Sequence, residues 1–143
     1  MRENNENINL SQNKYTNEDL KIMQGWSLER KIQVTQTRLL EWYQKNDNKC
    51  YVSFSGGKDS TVLADLVARI CKIQNCKLTL WYSHTGLEYP EVTQHVKDFA
   101  EWLKEKYKIE VDLIIDYPKD KNGKRITFRD VIEKYGYPMI SKE

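Results

Sequence analysis

Three short β-prone runs alternate with long helical stripes along this chain, and that alternation restricts the fold more than any other feature. The runs are Cys50-Tyr51-Val52-Ser53-Phe54-Ser55, Leu78-Thr79-Leu80-Trp81-Tyr82 and Ile109-Glu110-Val111-Asp112-Leu113-Ile114-Ile115. Each is bounded by polar or glycine residues, as strands are. Between the first and second, Val62, Leu63, Leu66, Val67 and Ile70 recur at helical spacing over residues 59–73. Between the second and third, Val92, Val96, Phe99, Leu103 and Tyr107 form another stripe, opened by Pro90 where a first helical turn tolerates proline. Strand, helix, strand in this order implies right-handed crossovers and a mainly parallel sheet. The expected class is α/β, a three-layer α/β/α arrangement with the sheet covered on both faces.

Ahead of the first strand, Leu28, Ile32, Thr35, Leu39 and Trp42/Tyr43 make one apolar stripe ending near Asn46, with Ser27 as N-cap. Gly25-Trp26 separates this helix from a shorter one around residues 17–24. Near the other end, Thr127-Phe128-Arg129-Asp130 predicts a capping box and a short helix to Tyr135. Residues 1–16 are rich in Asn, Glu and Gln and are expected to be a mobile tail, leaving 17–143 as the folded domain.

The chain has 143 residues, 39% hydrophobic and 31% charged, which suits one globular domain. Its formal charge of +2 is too small for the broad electrostatic footprint of a nucleic-acid binder, so an anion site must be local. No run approaches the roughly 18 apolar residues of a membrane span, and the N-terminus lacks the apolar core of a signal peptide. A cytoplasmic location is the expectation. Cys50, Cys71 and Cys76 are odd in number without a C-x-x-C pair, which predicts free or buried thiols and neither a disulfide framework nor a metal cluster.

The chemistry concentrates where the first strand meets its helix, at Ser55-Gly56-Gly57-Lys58-Asp59-Ser60. Ligands of parallel sheets bind beyond the carboxyl ends of the strands. Two glycines let the backbone turn and bring its N–H groups close to a ligand, and the helix start aims unpaired amides and a partial positive charge at the same point. Ser55 and Ser60 add hydroxyls and Lys58 a full charge, so a polyphosphate is the natural guest. The alternative that Gly56-Gly57 is only a tight turn leaves both the second glycine and Lys58 without purpose. A Walker A loop is excluded because Val52 stands where its first glycine belongs and Asp59 follows the lysine. No G-x-G-x-x-G occurs.

What remains resembles the S-G-G-x-D-S signature of the PP-loop ATP pyrophosphatases. At the end of the second strand, Ser83-His84-Thr85-Gly86-Leu87-Glu88-Tyr89-Pro90-Glu91 resembles the D-T-G-x-x-F/Y-P-E segment of the phosphoadenosine phosphosulfate (PAPS) reductase family. Together with Gly136-Tyr137-Pro138-Met139-Ile140-Ser141-Lys142, the resemblance runs from about residue 27 to 142. It implies a Rossmann-like, HUP-like domain. That family's sheet has five strands and three are counted here, so the chain is expected to be an N-terminal part of it. The first strand would then be a sheet edge that a second copy could pair with, making a homodimer.

The resemblance also implies the site. The backbone of Gly56 and Gly57 with Ser55, Ser60 and Lys58 would hold the β- and γ-phosphates of ATP. Lys58, Asp59 and Ser60 would be the catalytic set, Asp59 ordering the loop or assisting Mg²⁺. Ser53-Phe54 and Ser83-His84-Thr85-Gly86 would flank ribose and adenine. His84 stands where the family carries Asp, either bonding local backbone or touching the ligand. His95, within the third helical stripe, is read as structural. Glu88 and Glu91 flank Pro90, where carboxylates suit a helix start in any case. Sulfonucleotide reductases depart from S-G-G-K-D-S, often with Gly-Ala-Glu, and need a cysteine in an E-C-G-x-H context that these residues do not contain. The resemblance therefore favours ATP pyrophosphatase chemistry, adenylating an unidentified acceptor with release of pyrophosphate. PAPS reduction, with PAPS as ligand, and nucleotide binding without turnover are the alternatives. No base to activate the acceptor is identifiable.

Overall fold

The structure is a computed structural model that describes residues 15–137. The expected tail therefore lies outside the described residues apart from Tyr15 and Thr16, as does most of the Gly136–Lys142 resemblance. The chain divides into two compact units, Met1–Thr35 and Gln36–Glu143. In the first, α1 (Asn17–Gln24) opens on a reciprocal capping box in which Thr16 Oγ1 accepts from Asp19 N–H and the Asp19 carboxylate accepts from Thr16 N–H. After Gly25, α2 (Leu28–Lys45) begins, with Arg30 N–H donating to Ser27 Oγ at 3.3 Å and the Arg30 guanidinium 4.5 Å from the Trp26 ring centroid.

The second unit holds β1 (Tyr51–Ser53), α3 (Lys58–Gln74), β2 (Leu78–Ser83), α4 (Pro90–Tyr107), β3 (Val111–Asp116) and α5 (Phe128–Tyr135). All three strands are parallel in the order β1-β2-β3, as the alternation predicts. The first strand is shorter than the apolar run, although Phe54 N–H still reaches Trp81 O at 2.8 Å.

Strand period two sorts the side chains by face. Val52, Leu78, Leu80 and Tyr82 are buried, joined by half-buried Val111, Leu113 and Ile115 across the register Leu78↔Val111, Leu80↔Leu113, Tyr82↔Ile115. Helices α3 and α4 cover this face, with Ala64, Val67, Ala68, Ile70 and Cys71 of α3 and Val96, Ala100 and Leu103 of α4 in the same cluster. On the opposite face Tyr51 and Ile114 are exposed, and Trp81 is half-buried with its ring edge-on to Tyr51.

The α3 stripe also differs in detail from its apolar spacing. Val62 and Leu63 face solvent at 61% and 38% exposure, while Ala64 and Ala68 are wholly buried. Small residues occupy the contact because the helix lies close to its neighbours, and larger ones would overfill a close-packed interior. A polar clamp joins the two helices. Asp65 accepts from Arg69 at 2.7 Å, Tyr107 Oη at 2.7 Å and Lys106 Nζ at 3.0 Å. Burial alone would raise its pKa, but these three donors outweigh that and hold it below the usual carboxylate range.

Cys50, Cys71 and Cys76 are free thiols, and burial pushes the Cys71 thiol up to about 12, so it stays protonated. No helix among the described residues is long and apolar enough to cross a membrane.

Leu80 is fully buried in the central strand. Leu80→Ala should lower the unfolding free energy in urea by about 2–5 kcal/mol, whereas Tyr51→Ser on the open face should cost under about 1 kcal/mol.

Candidate functional site

The carboxyl edge of the sheet carries three chain exits, and two of them hold the residues singled out from sequence. Strand β1 ends at Ser53, level with Trp81, so β2 runs two residues, about 7 Å, further before Ser83. Residues 53–60 form one continuous turn into α3, and residues 83–86 form the neighbouring exit.

Gly56 has φ +78°, a backbone conformation that a side chain resists. Its surroundings add a second requirement, because a Cβ built there would lie 3.1 Å from Val96 Cγ2 and 3.7 Å from both Val92 Cγ1 and His95 Cδ2. The loop is thus pressed against the first half of α4. Gly57 is different: at φ −77° and ψ 164° it is an ordinary extended N-cap, and an added Cβ would meet only Ser55 Oγ at 3.4 Å. Its missing side chain serves access to the backbone and not conformation.

The hydroxyls tie the turn together from inside. Ser55 Oγ lies 3.1 Å from Ser60 Oγ and accepts from Gly57 N–H at 3.3 Å, while Ser60 and Thr61 hydroxyls donate to Gly57 O, each at 2.9 Å. Helix α3 has no side-chain cap at its start. Its first amides therefore keep their hydrogen-bonding capacity at the positive end of the helix dipole. Helices α1 and α5 are closed by Thr–Asp capping boxes instead. Lys58 and Asp59 are exposed and pair with no protein group among the described residues. One free carboxylate beside a phosphate cradle suits Mg²⁺, which is held through one or two carboxylates together with substrate phosphates and water.

Phe54 is 1% exposed and stacks on Phe99 at 5.4 Å, so its side chain is closed to a ligand. Ser53 is exposed at the strand end. At the second exit Glu88 folds back on the turn. Its carboxylate accepts from Thr85 N–H (3.0 Å), Thr85 Oγ1 (2.8 Å) and Gly86 N–H (2.9 Å). Burial works to raise the Glu88 pKa, but the Thr85 and Gly86 donors outweigh it and hold it at about 2. His84 N–H donates to Asp116 O at 2.8 Å, and its Nδ1 lies 3.2 Å from the Gly86 amide and 3.3 Å from Glu88. The ring packs 5.1 Å from Tyr117. The amides of His84, Thr85 and Gly86 are thereby spent within the protein, and the Thr85 carbonyl accepts from Phe128 N–H at 3.0 Å.

Two residues stand closer to the site than their sequence context indicates. His95, read as structural, is exposed and lies beside Gly56. Glu88, given only helix-dipole weight, is the keystone of the second exit. Reach-back from Glu88 to Thr85 was within range of sequence reasoning, since three residues separate them. The crossing of α4 over the loop was not.

An open parallel sheet whose first helix starts uncapped on a glycine turn defines an α/β domain built to hold nucleotide phosphates. The family model for the PP-loop domain matches residues 28–136, and the chain belongs to that family. No curated protein matches the sequence. Membership carries adenine-nucleotide binding and places the chain among domains of ATP-using enzymes of the pyrophosphatase type.

Gly56→Ala should lower stability by roughly 1–2 kcal/mol and Gly57→Ala by less than about 0.5 kcal/mol, read as urea midpoints. For Glu88 the folded pKa is depressed from 4.5 to about 2. Its contribution is present above the unfolded value and is lost as pH falls through the folded one. Wild type should exceed Glu88→Gln in stability at neutral pH, and the gap should close as pH falls from 4.5 to about 2.

Proposed function

We propose that this chain binds ATP with its β- and γ-phosphates on Ser55–Ser60 and supports attack of an acceptor oxygen on the α-phosphorus, releasing pyrophosphate. The observation that carries the reading is the uncapped start of α3 over Gly56-Gly57, with the Ser55 and Ser60 hydroxyls 3.1 Å apart and Lys58 free beside them. Together they offer backbone amides, two hydroxyls and one cation to a single anion.

The acceptor oxygen forms a bond to the α-phosphorus, and the bond from that phosphorus to the bridging oxygen breaks. Pyrophosphate departs with the electron pair. The protein's task is to position the chain of phosphates and to meet the charge that builds on the leaving group. Lys58 and the first amides of α3 do this for the β- and γ-phosphates, and Ser60 orients them through its hydroxyl. Asp59 would hold Mg²⁺, which supplies charge neutralisation across the phosphate oxygens when bound. The backbone of Ser53-Phe54 and of Ser83 through Gly86 borders the ribose and adenine.

The likeness of Ser83–Glu91 to the PAPS reductase segment supports a place in the sulfur-metabolism branch, and the full Ser-Gly-Gly-Lys-Asp-Ser loop supports ATP over PAPS as ligand.

Calorimetric titration with ATP, AMP and PAPS tests the reading. ATP in the presence of Mg²⁺ should bind most tightly, and Lys58→Ala should weaken it about 10- to 100-fold while leaving AMP nearly unchanged. Equal affinities for all ligands in both proteins would refute the phosphate-loop assignment. Tighter binding of PAPS than ATP would move the chain to the reductase branch.

A further inference from the structure

The third exit, after β3, belongs to no part of the site described so far. The chain leaves Asp116 into a hairpin closed by the antiparallel bridge Lys119↔Arg125. Asp120 builds its turn, accepting from Asn122 N–H at 2.8 Å and Lys124 N–H at 2.9 Å. The chain returns beside Pro118, where Ile126 N–H donates to the carbonyl at 2.9 Å, and enters α5. Between hairpin and helix lies a cavity of about 560 Å³, whose lining includes Lys119, Lys121 and Lys134 together with Ile126, Val131 and Tyr135. That volume is in the range of small-molecule pockets, roughly 300–1,000 Å³.

Its charge is unbalanced. The two carboxylates in the lining, Asp120 and Asp130, are both committed: Asp120 to its turn, Asp130 to Thr127 N–H at 2.6 Å and Thr127 Oγ1 at 2.7 Å. Those Thr127 bonds hold Asp130 below the usual carboxylate range. None of the three lysines is in an ion pair among the described residues, and Lys134 Nζ rests 5.1 Å from the Tyr135 ring centroid. A lining that mixes three ammonium groups with apolar and aromatic side chains complements an organic anion: a carboxylate or phosphate ester on an aromatic or aliphatic body. Inorganic phosphate or sulfate would leave the apolar side chains unused.

The cavity is also tied to the nucleotide edge of the sheet. Phe128 N–H at the start of α5 donates to Thr85 O at 3.0 Å. Thr127 packs so closely on Gly86 that a Cβ there would lie 2.9 Å from Thr127 Cβ. The hairpin exit stands two strand positions from the phosphate loop, about 10 Å across the sheet.

We infer that this cavity holds the acceptor as an organic anion, an inference that rests on the adenylation reading above. An in-line displacement needs the attacking oxygen opposite the leaving pyrophosphate. With pyrophosphate at the β1 exit and ribose and adenine at the β2 exit, the β3 exit is the one the nucleotide leaves unassigned. An anionic acceptor also removes the need for a base. Glu88, Asp120 and Asp130 are spent on backbone amides, and a carboxylate or phosphate oxygen attacks already deprotonated. Its bond to the α-phosphorus forms, the bond to the bridging oxygen breaks, the electron pair leaves on pyrophosphate, and no proton moves.

Amide chemical shifts of the full chain, with phenyl phosphate, phenol and inorganic phosphate as probes, test this. Phenyl phosphate should move the amides of residues 119–122 and 131–135 with a saturating curve, and phenol should need at least about tenfold more to do so. The double variant Lys121→Glu/Lys134→Glu should weaken phenyl phosphate by about tenfold or more while ATP still moves residues 55–60 at an unchanged midpoint. Lys121→Gln, which leaves the chain closer to native, should give a smaller loss in the same direction. Phenyl phosphate shifts confined to residues 55–60, or a midpoint unaffected by charge reversal, would overturn the cavity assignment. If ATP moves 55–60 but phenyl phosphate leaves 119–135 still, the cavity inference fails and the nucleotide reading stands. Should ATP leave 55–60 unmoved while phenyl phosphate titrates the cavity, the nucleotide reading fails, the acceptor role falls with it, and an organic-anion site remains.

Discussion

The pairing of β2 with a parallel neighbour on each side is the constraint from which the rest of the second unit follows. Its alternation puts Leu78, Leu80 and Tyr82 on one face, and the register with β1 and β3 aligns Val52, Val111, Leu113 and Ile115 beside them. That single apolar face requires a helical layer, which α3 and α4 supply. A one-residue slip in register would turn the apolar set outward. The same register sets the heights at which the three strands leave the sheet, and the candidate chemistry is distributed over those exits.

Two of the exits are built by opposite physical means. At β1 the turn is left open: a positive-φ glycine, an uncapped helix, and a lysine and a carboxylate without protein partners among the described residues. At β2 the turn is closed, with Glu88 absorbing the donors of Thr85 and Gly86. An open cradle needs a rigid frame, because amides that must wait for an anion are of use only where they are held in place. Packing of Val92, His95 and Val96 against Gly56 gives the open loop that frame, and the Asp65 clamp to Lys106 and Tyr107 fixes α4 to the helix that the loop begins.

Local periodicity made the strands, helices and phosphate loop legible in the sequence because each is a property of neighbouring residues. The capping box at Thr127 and the free thiols were legible for the same reason. Burial within a helix was less so: Val62 and Leu63 belong to the apolar spacing yet lie at the surface, while Ala64 and Ala68 are inside, because closeness of approach between elements decides which side of an amphipathic helix is buried. His95 beside Gly56, the exposed face around Tyr51 and Ile114, and the basic cavity between the hairpin and α5 all arise from contacts between segments far apart in the chain. No spacing encodes them.

Amide hydrogen exchange with and without ATP and Mg²⁺ tests the central claim, that the open start of α3 is where the nucleotide phosphates sit. The amides of Gly56 through Ser60 should gain protection on ATP addition, with AMP giving much less, and the capped starts of α1 and α5 should not change. Protection that appears elsewhere while residues 56–60 exchange as before would contradict it.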